Sequence, residues 1–372
     1  MGKQASHGNS SPDPSNFKTL KVELFVFSCG HGDTIVIHLP DNRWCLVDCN
    51  LKSKVKRQGF LEFLDSKEVE RFDFIFQTHP DLDHFGGMKQ LLQDFIKKNG
   101  TLGYWCDGGV GLPQIQPLAF PDFMTREEYD ELQDYLDDLY DEGKLKFYGL
   151  DAGHSPVTLK GHIGKFEFYT IAPDEDRKRI IQRADAKKLG VNPETQLETN
   201  KLSLVIMLSV RGKENSCNIL LTGDADDYGC TQGLEIWNGI AEGIGCDPNI
   251  GVVKVSHHGS ISSHCLKVVE AGRPEKENIA VISCGKRDGS PDREVMRDYL
   301  SAGWTVLATT ERIRPKKYNH PFEIINRGEP EDEIHFEPHN ITITWSEEND
   351  LEWEPRESEI IEQELGNYET KK

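Results

Sequence analysis

Between residues 77 and 87 the chain reads QTHPDLDHFGG, which sets His79, Asp81, Asp83 and His84 within six positions. Carboxylates crowd together at a cost unless positive charge sits among them, and imidazole beside carboxylate suits zinc, manganese or iron. No cysteine accompanies the run, which argues against a structural thiolate site. Two later segments carry ligand-type residues as well. LLTGDAD (220–226) runs an apolar stretch into Gly223-Asp224, and VVKVSHHGS (252–260) does the same with His257-His258. A Gly-Asp pair alone reads as a turn, and a His-His pair alone as a hydrogen-bonded core edge. Three such clusters in one chain point to a shared site for two divalent ions. Metals about 3.5–4 Å apart in such sites clamp the attacking and leaving oxygens of a displacement.

Side chains of this kind need rigid elements behind them, and each cluster follows an apolar run. The segment LKVELFVFSCGHGDTIVIHLPDNRWCLVDCN reads as three strands, broken at CGHGD and PDN. A helix is expected over 52–68 and a buried strand over 72–78. A second helix is expected over 86–100, where Met88, Leu91, Leu92, Phe95 and Ile96 share one face. Residues 101–150 read as an insertion carrying an acidic amphipathic helix (125–144), expected to be a solvated surface element. The second half repeats the strand grammar in KFEFYTIAP, KLSLVIMLSV, NILLTGD, IGVVKVSHHGS, IAVISCG and TVLATT, with a helix in PDREVMRDYLSAG. Two halves that each run from strands into helices predict a four-layer αββα sandwich, two mixed β-sheets face to face with helices outside.

THPDLDHFGG, LLTGD and KVSHHGS, in that order, resemble the metallo-β-lactamase fold. The branch they resemble is the one typified by the hydrolase domain of the bacterial competence protein ComEC. FSCGHGDTIVIHLPDNRWCLVDCN is similar to that branch's opening. ETNKLSLVIML (198–208) resembles its next anchor through Asn200 and Ser203, and VISCGKRDGSP (281–291) resembles its last. The resemblance implies that His79 and Asp81 serve one metal, Asp83 and His84 the other, and that Asp224 bridges them. One of His257 and His258 completes the second site, with His258 preferred as ligand and His257 as acid or substrate contact. Asp33 and Asp48 are expected to orient ligands or loops. Asn200, Ser203, Lys254, Arg287 and Ser290 are expected against the substrate.

The departures are also informative. Asp81 stands where many relatives have histidine, and no histidine stands shortly before Asp224. Ser290 replaces the histidine of the branch's Gly-His-Pro. The activity implied is hydrolysis by a metal-activated hydroxide, with Asp83 and His257 in the catalytic machinery and a phosphodiester as the first substrate class. Zinc is the first expectation for the ions, manganese or iron the alternatives. A lactone or thioester hydrolase, di-iron redox chemistry and a catalytically weakened metal-binding interaction protein are the other readings.

Composition narrows the partners. The 372 residues carry a net charge of −20, which repels phosphate backbones and anionic membranes. Extended nonspecific DNA binding is therefore disfavoured, and a small phosphodiester, a nucleotide or a nucleic-acid end is the expected substrate. RIRPKK (312–317) is the one compact basic cluster and reads as a solvated edge. Nine cysteines without CxxC pairs predict reduced, buried thiols in a cytoplasmic protein. No run is long and apolar enough for a membrane span. Residues 1–16 are polar and expected to be disordered, 17–346 to form the hydrolase domain, and 347–372 to be an acidic tail open to a protein partner.

Overall fold

The apolar runs after Leu20 form an antiparallel meander of β1 (Lys21–Val26), β2 (Ile35–Leu39) and β3 (Arg43–Val47). The structure is a computed structural model. It describes residues 20–29, 32–107, 123–150, 157–160, 165–174, 199–212, 215–283, 291–309, 335–337 and 340–356. From β3 the chain passes through α1 (Lys54–Ser66) into β4 (Arg71–Gln77), which pairs parallel to β3. The short α2 (Leu82–Phe85) and α3 (Met88–Lys97) lead to β5 (Thr101–Asp107), and α4 (Phe123–Asp141) leads to β6 (Lys146–Gly149). Both of these strands extend the parallel part of the sheet.

A second sheet opens with antiparallel β7 (Val157–Lys160), β8 (Lys165–Ala172), β9 (Val205–Arg211) and β10 (Ser216–Leu221). It continues parallel through β11 (Val252–Lys254), β12 (Ile279–Ser283), β13 (Thr305–Thr309) and β14 (His335–Glu337). The intervening helices are α5 (Asp227–Ile244), α6 (Leu266–Glu270) and α7 (Arg293–Ser301). The chain then returns to the first sheet as the hairpin β15 (Asn340–Ser346) and β16 (Asp350–Arg356), with β15 beside β1. Among the described residues each sheet has eight strands.

Period-two alternation along the strands divides the apolar side chains among three cores. Val22, Leu24 and Val26 of β1 and Phe74 and Phe76 of β4 meet Ile206, Leu208, Ile219 and Leu221 of the other sheet. The opposite faces turn outward to helices. Phe25, Trp44, Phe72 and Ile75 pack on Phe60, Leu64, Leu91, Leu92 and Phe95. On the second sheet Met207, Leu220, Val253 and Ile282 pack on Leu234, Trp237, Val268 and Met296. Helix, sheet, sheet, helix is the order of layers. The fold is the four-layer αββα sandwich that the pattern predicts.

Two stretches differ from their expected roles. Residues 101–150, read as an insertion, supply two strands of the first sheet. Their helix α4 buries Tyr129, Leu132, Leu136 and Leu139 at three- and four-residue steps rather than lying in solvent. Residues 350–356, read as acidic tail, form an edge strand, because Leu351 is buried in the inter-sheet core and Trp353 packs against it. Seven of the eight described cysteines are buried, and all eight are free thiols. No helix among the described residues is long and apolar enough to cross a membrane.

Candidate metal centre

The ligand-type residues converge where strands of both sheets end. Asp33 precedes β2 and Asp48 follows β3. The His79–His84 run follows β4, Asp224 follows β10, and His257 and His258 follow β11. Carboxyl ends of strands are where open α/β sheets place their sites, since the loops there are aimed by a rigid frame. The turn into Asp224 depends on Gly223, whose φ is +52°. A Cβ there would lie 2.3 Å from Ser203 Oγ and 2.8 Å from Thr78, so no side chain fits this approach.

Hydrogen bonds behind the site fix how the imidazoles face. Thr78 donates its backbone N–H to Asp48 Oδ1 (2.8 Å) and its hydroxyl to Asp48 Oδ2 (2.7 Å). With that proton given away, Thr78 Oγ1 is left to accept from His79 Nδ1–H at 3.0 Å. Asp48 Oδ2 also accepts from His84 Nδ1–H at 2.8 Å. His258 donates Nδ1–H to the Ser283 carbonyl at 3.0 Å. In each ring the Nδ1 proton is thereby committed outward, which turns the Nε2 lone pair inward.

All of these Nε2 atoms face one carboxylate. His84 Nε2 lies 3.3 Å from Asp224 Oδ1. His79 Nε2 and His258 Nε2 each lie 4.0 Å from Asp224 Oδ2, and His257 Nε2 lies 3.8 Å from the same oxygen. Asp81 Oδ2 is 3.6 Å from His79 Nε2, and Asp83 Oδ2 is 3.3 Å from His258 Nε2. The ligand atoms of Asp83, His84, Asp224 and His258 all fall within 4.8 Å of one another. Nε2 of His79, Nε2 of His84 and Oδ1 of Asp224 are buried and make no hydrogen bond.

Lone pairs facing a carboxylate in a buried site require positive charge between them. The protonation equilibria express the same demand. Burial works against a charge on His84, yet the carboxylates of Asp224, Asp48 and Asp83 outweigh it and hold the imidazole well above its usual range. Burial likewise works against the Asp224 carboxylate, but His84, His258 and Lys254 hold it well below the usual carboxylate range. An orphaned nitrogen and oxygen on neighbouring strand ends, backed by hydrogen bonds that fix each tautomer, fit a divalent cation.

Three residues expected against the substrate are placed otherwise or only partly. Lys254 is buried beneath the site, paired with Asp33 and donating to the Gly223 carbonyl at 3.1 Å, so it serves as an internal cation. Burial opposes its charge, and Asp33 and Asp224 outweigh burial to raise its pKa. Ser203 is also buried; its Oγ accepts from Asp224 N at 3.0 Å and lies 3.4 Å from His79 Nδ1. It supports the site from behind. Asn200 sits partly exposed on the single turn Thr199–Leu202. Arg287 and Ser290 lie outside the described residues, as do RIRPKK, residues 1–16 and the chain beyond Arg356. Asp48 accepts from His84 Nδ1, and Asp33 lies 3.9 Å from His84 Nδ1 and 4.0 Å from His258 Nδ1.

Sequence reasoning passed over Thr78, Ser263 and Ser283. Thr78 had a signal, a hydroxyl directly before His79 in the motif. Ser263, whose Oγ lies 3.1 Å from His257 Nδ1, had none, because a serine in SISS is ordinary loop chemistry.

No family model matches the chain, and no curated protein does. Among solved structures, the metallo-β-lactamase fold protein YhfI from Bacillus subtilis is similar at 12% identity. It covers 78% of this chain and 96% of its own, with a TM-score of 0.40. A diphosphatase from the PhnP family is similar at 10% identity over 88% of this chain and 99% of its own, with a TM-score of 0.39. BJP-1, a subclass B3 metallo-β-lactamase of Bradyrhizobium japonicum, is similar at 13% identity over 64% of this chain and 75% of its own, with a TM-score of 0.30. The fold itself rests on the layer order and the three cores.

Proposed function

We propose that the chain is a metal-dependent hydrolase of the metallo-β-lactamase fold, in the ComEC-like branch, and that it cleaves a phosphodiester. The observation that carries this reading is the ring of inward Nε2 atoms around the buried Asp224 carboxylate. One ion would be held by Asp83, His84, Asp224 and His258, and the other by His79, Asp81 and Asp224. When bound, such ions supply Lewis-acid charge for an anionic transition state and a water of lowered pKa. Zinc suits the mixed imidazole and carboxylate set, and manganese is the alternative.

The chain's own groups do the positioning. Asp48 and Thr78 lock His79 and His84 from behind, and the Ser283 carbonyl locks His258. Lys254 and Asp33 beneath the site offset each other's charge, so the carboxylates above them keep their negative charge for cations. A surface of net charge −20 disfavours long polyanions, so the substrate is a small phosphodiester, a nucleotide or a nucleic-acid end. A solvent-side ion pair would supply the local attraction that the surface lacks.

A panel of chromogenic phosphodiesters, phosphomonoesters, lactones and short single-stranded oligonucleotides, with Zn²⁺ or Mn²⁺, tests the reading. Phosphodiester turnover is expected from the wild type and not from Asp83→Ala, whose thermal unfolding should remain cooperative. Equal turnover by the variant would remove Asp83 from the site. Turnover of lactones alone would move the substrate class to carbonyl esters.

A further inference from the structure

The ion assigned to His79 and Asp81 has fewer protein ligands than its neighbour. Among the described residues shortly before Asp224, Ser203 is the side chain nearest the site, and it is committed behind it, to Asp224 N and beside His79 Nδ1. His257 is placed to fill the gap. We infer that His257 is a ligand of this first ion, standing in for the histidine that the sequence does not carry shortly before Asp224, rather than a proton donor. The inference rests on the two-ion reading above and adds to it.

Three observations carry it. First, neighbouring residues in an extended strand point to opposite faces, whereas His257 and His258 both reach Asp224. They do so because His257, His258 and Gly259 run through φ of 47°, 55° and 78° in succession. Two adjacent non-glycine residues in the left-handed region are a strained arrangement that persists where a site requires it. Second, His257 Nε2 is 3.8 Å from Asp224 Oδ2, as near as the Nε2 atoms of His79 and His258 at 4.0 Å. His257 thus belongs to the ring around Asp224 and does not stand off above it. Third, its Nδ1 is occupied from behind by Ser263 Oγ at 3.1 Å, just as Nδ1 is occupied in the other three imidazoles. Ligating histidines show this pattern, an outer hydrogen bond on one nitrogen and the metal on the other.

Metal content separates the possibilities without recourse to turnover. The holoprotein is equilibrated with Zn²⁺ at fixed free concentrations, and bound zinc per chain is measured by mass spectrometry alongside calorimetric titration. The wild type should bind two ions. His257→Ala should retain one at wild-type affinity and lose the other. Ser263→Ala, which removes only the hydrogen bond behind the ring, should weaken that same ion by about 10- to 100-fold. Cobalt(II) absorption should change for one ion only in both variants. His257 is partly exposed, and circular dichroism should show an unchanged fold for its truncation. Two ions at full affinity in both variants would overturn the inference while leaving the two-ion reading in place. Fewer than two in the wild type would overturn both.

Discussion

Thr78 hydrogen-bonds Asp48 through both its amide and its hydroxyl, and the same hydroxyl meets His79. Asp48 in turn holds His84, so one carboxylate controls two imidazoles, His84 directly and His79 through Thr78. Asp48 itself sits at φ 55°, a conformation that aspartate tolerates better than most residues. Replacing its Oδ2 by an amide nitrogen would set a donor against the His84 Nδ1–H and force the ring to turn. Asp48→Asn is therefore expected to weaken ion binding by about 10- to 100-fold while most turnover returns at saturating metal. A zinc titration monitored by activity and by calorimetry measures both. Unchanged affinity would show that the carboxylate is not needed to aim His84. The motif residues were legible because carboxylate and imidazole at such spacing have few structural uses. Lys254 and Ser203 were not, since nothing in a local sequence tells whether a polar side chain faces outward or under the site.

The strand ends were readable from the alternation of apolar residues, and the first three strands lie where their pattern placed them. Helix α5 escaped notice because four glycines interrupt DYGCTQGLEIWNGIAEGI, although its buried side includes Cys230, Leu234, Trp237 and Ala241. Strands β5 and β6 were hidden by Gly- and Pro-rich sequence between them, which masks parallel pairing that only tertiary contacts decide. Glu23, His38 and Trp44 lie side by side across β1, β2 and β3, at the margin of the apolar outer face. Glu23 accepts from His38 Nδ1 at 2.8 Å, and His38 stacks on Trp44 with ring centroids 3.9 Å apart. The His38 hydrogen bond, helped by Lys21 and opposed by partial burial, lowers the Glu23 pKa to about 2. A depressed carboxylate stabilises the fold above its unfolded pKa of 4.5 and loses that contribution as pH falls toward 2. Urea unfolding of the wild type and Glu23→Gln should thus differ by a constant amount above about pH 5, and the two should converge below it. A difference that persists undiminished at pH 2–3 would assign it to packing against His38 instead.

At the scale of the whole molecule the centre is a seam. His79, Asp81, Asp83 and His84 come from the first sheet, and Asp224, His257 and His258 come from the second. An ion held by residues of both groups would tie the two sheets together at this seam. Without an ion, the buried carboxylates Asp33 and Asp224 lean on Lys254, His84 and His258 to offset their charge, so the seam gains from a cation. Because Asp83 and His258 are 175 residues apart in sequence, the complete site exists only in the folded state, and the unfolded chain keeps just the local His79–His84 and His257-His258 clusters. At one hundred times the dissociation constant, a single ion then stabilises by about 2.7 kcal/mol. For a chain of 372 residues that corresponds to an increase of about 3–4 °C in Tm. Calorimetric scans with excess zinc and with a chelator should show this gap in the wild type. Asp224→Asn, which removes the shared charge, should show little of it, with both scans near the chelated wild type or somewhat above it. Identical scans for the wild type under the two conditions would mean that the seam closes without a metal, and the reading of Asp224 as the shared carboxylate would fall with it.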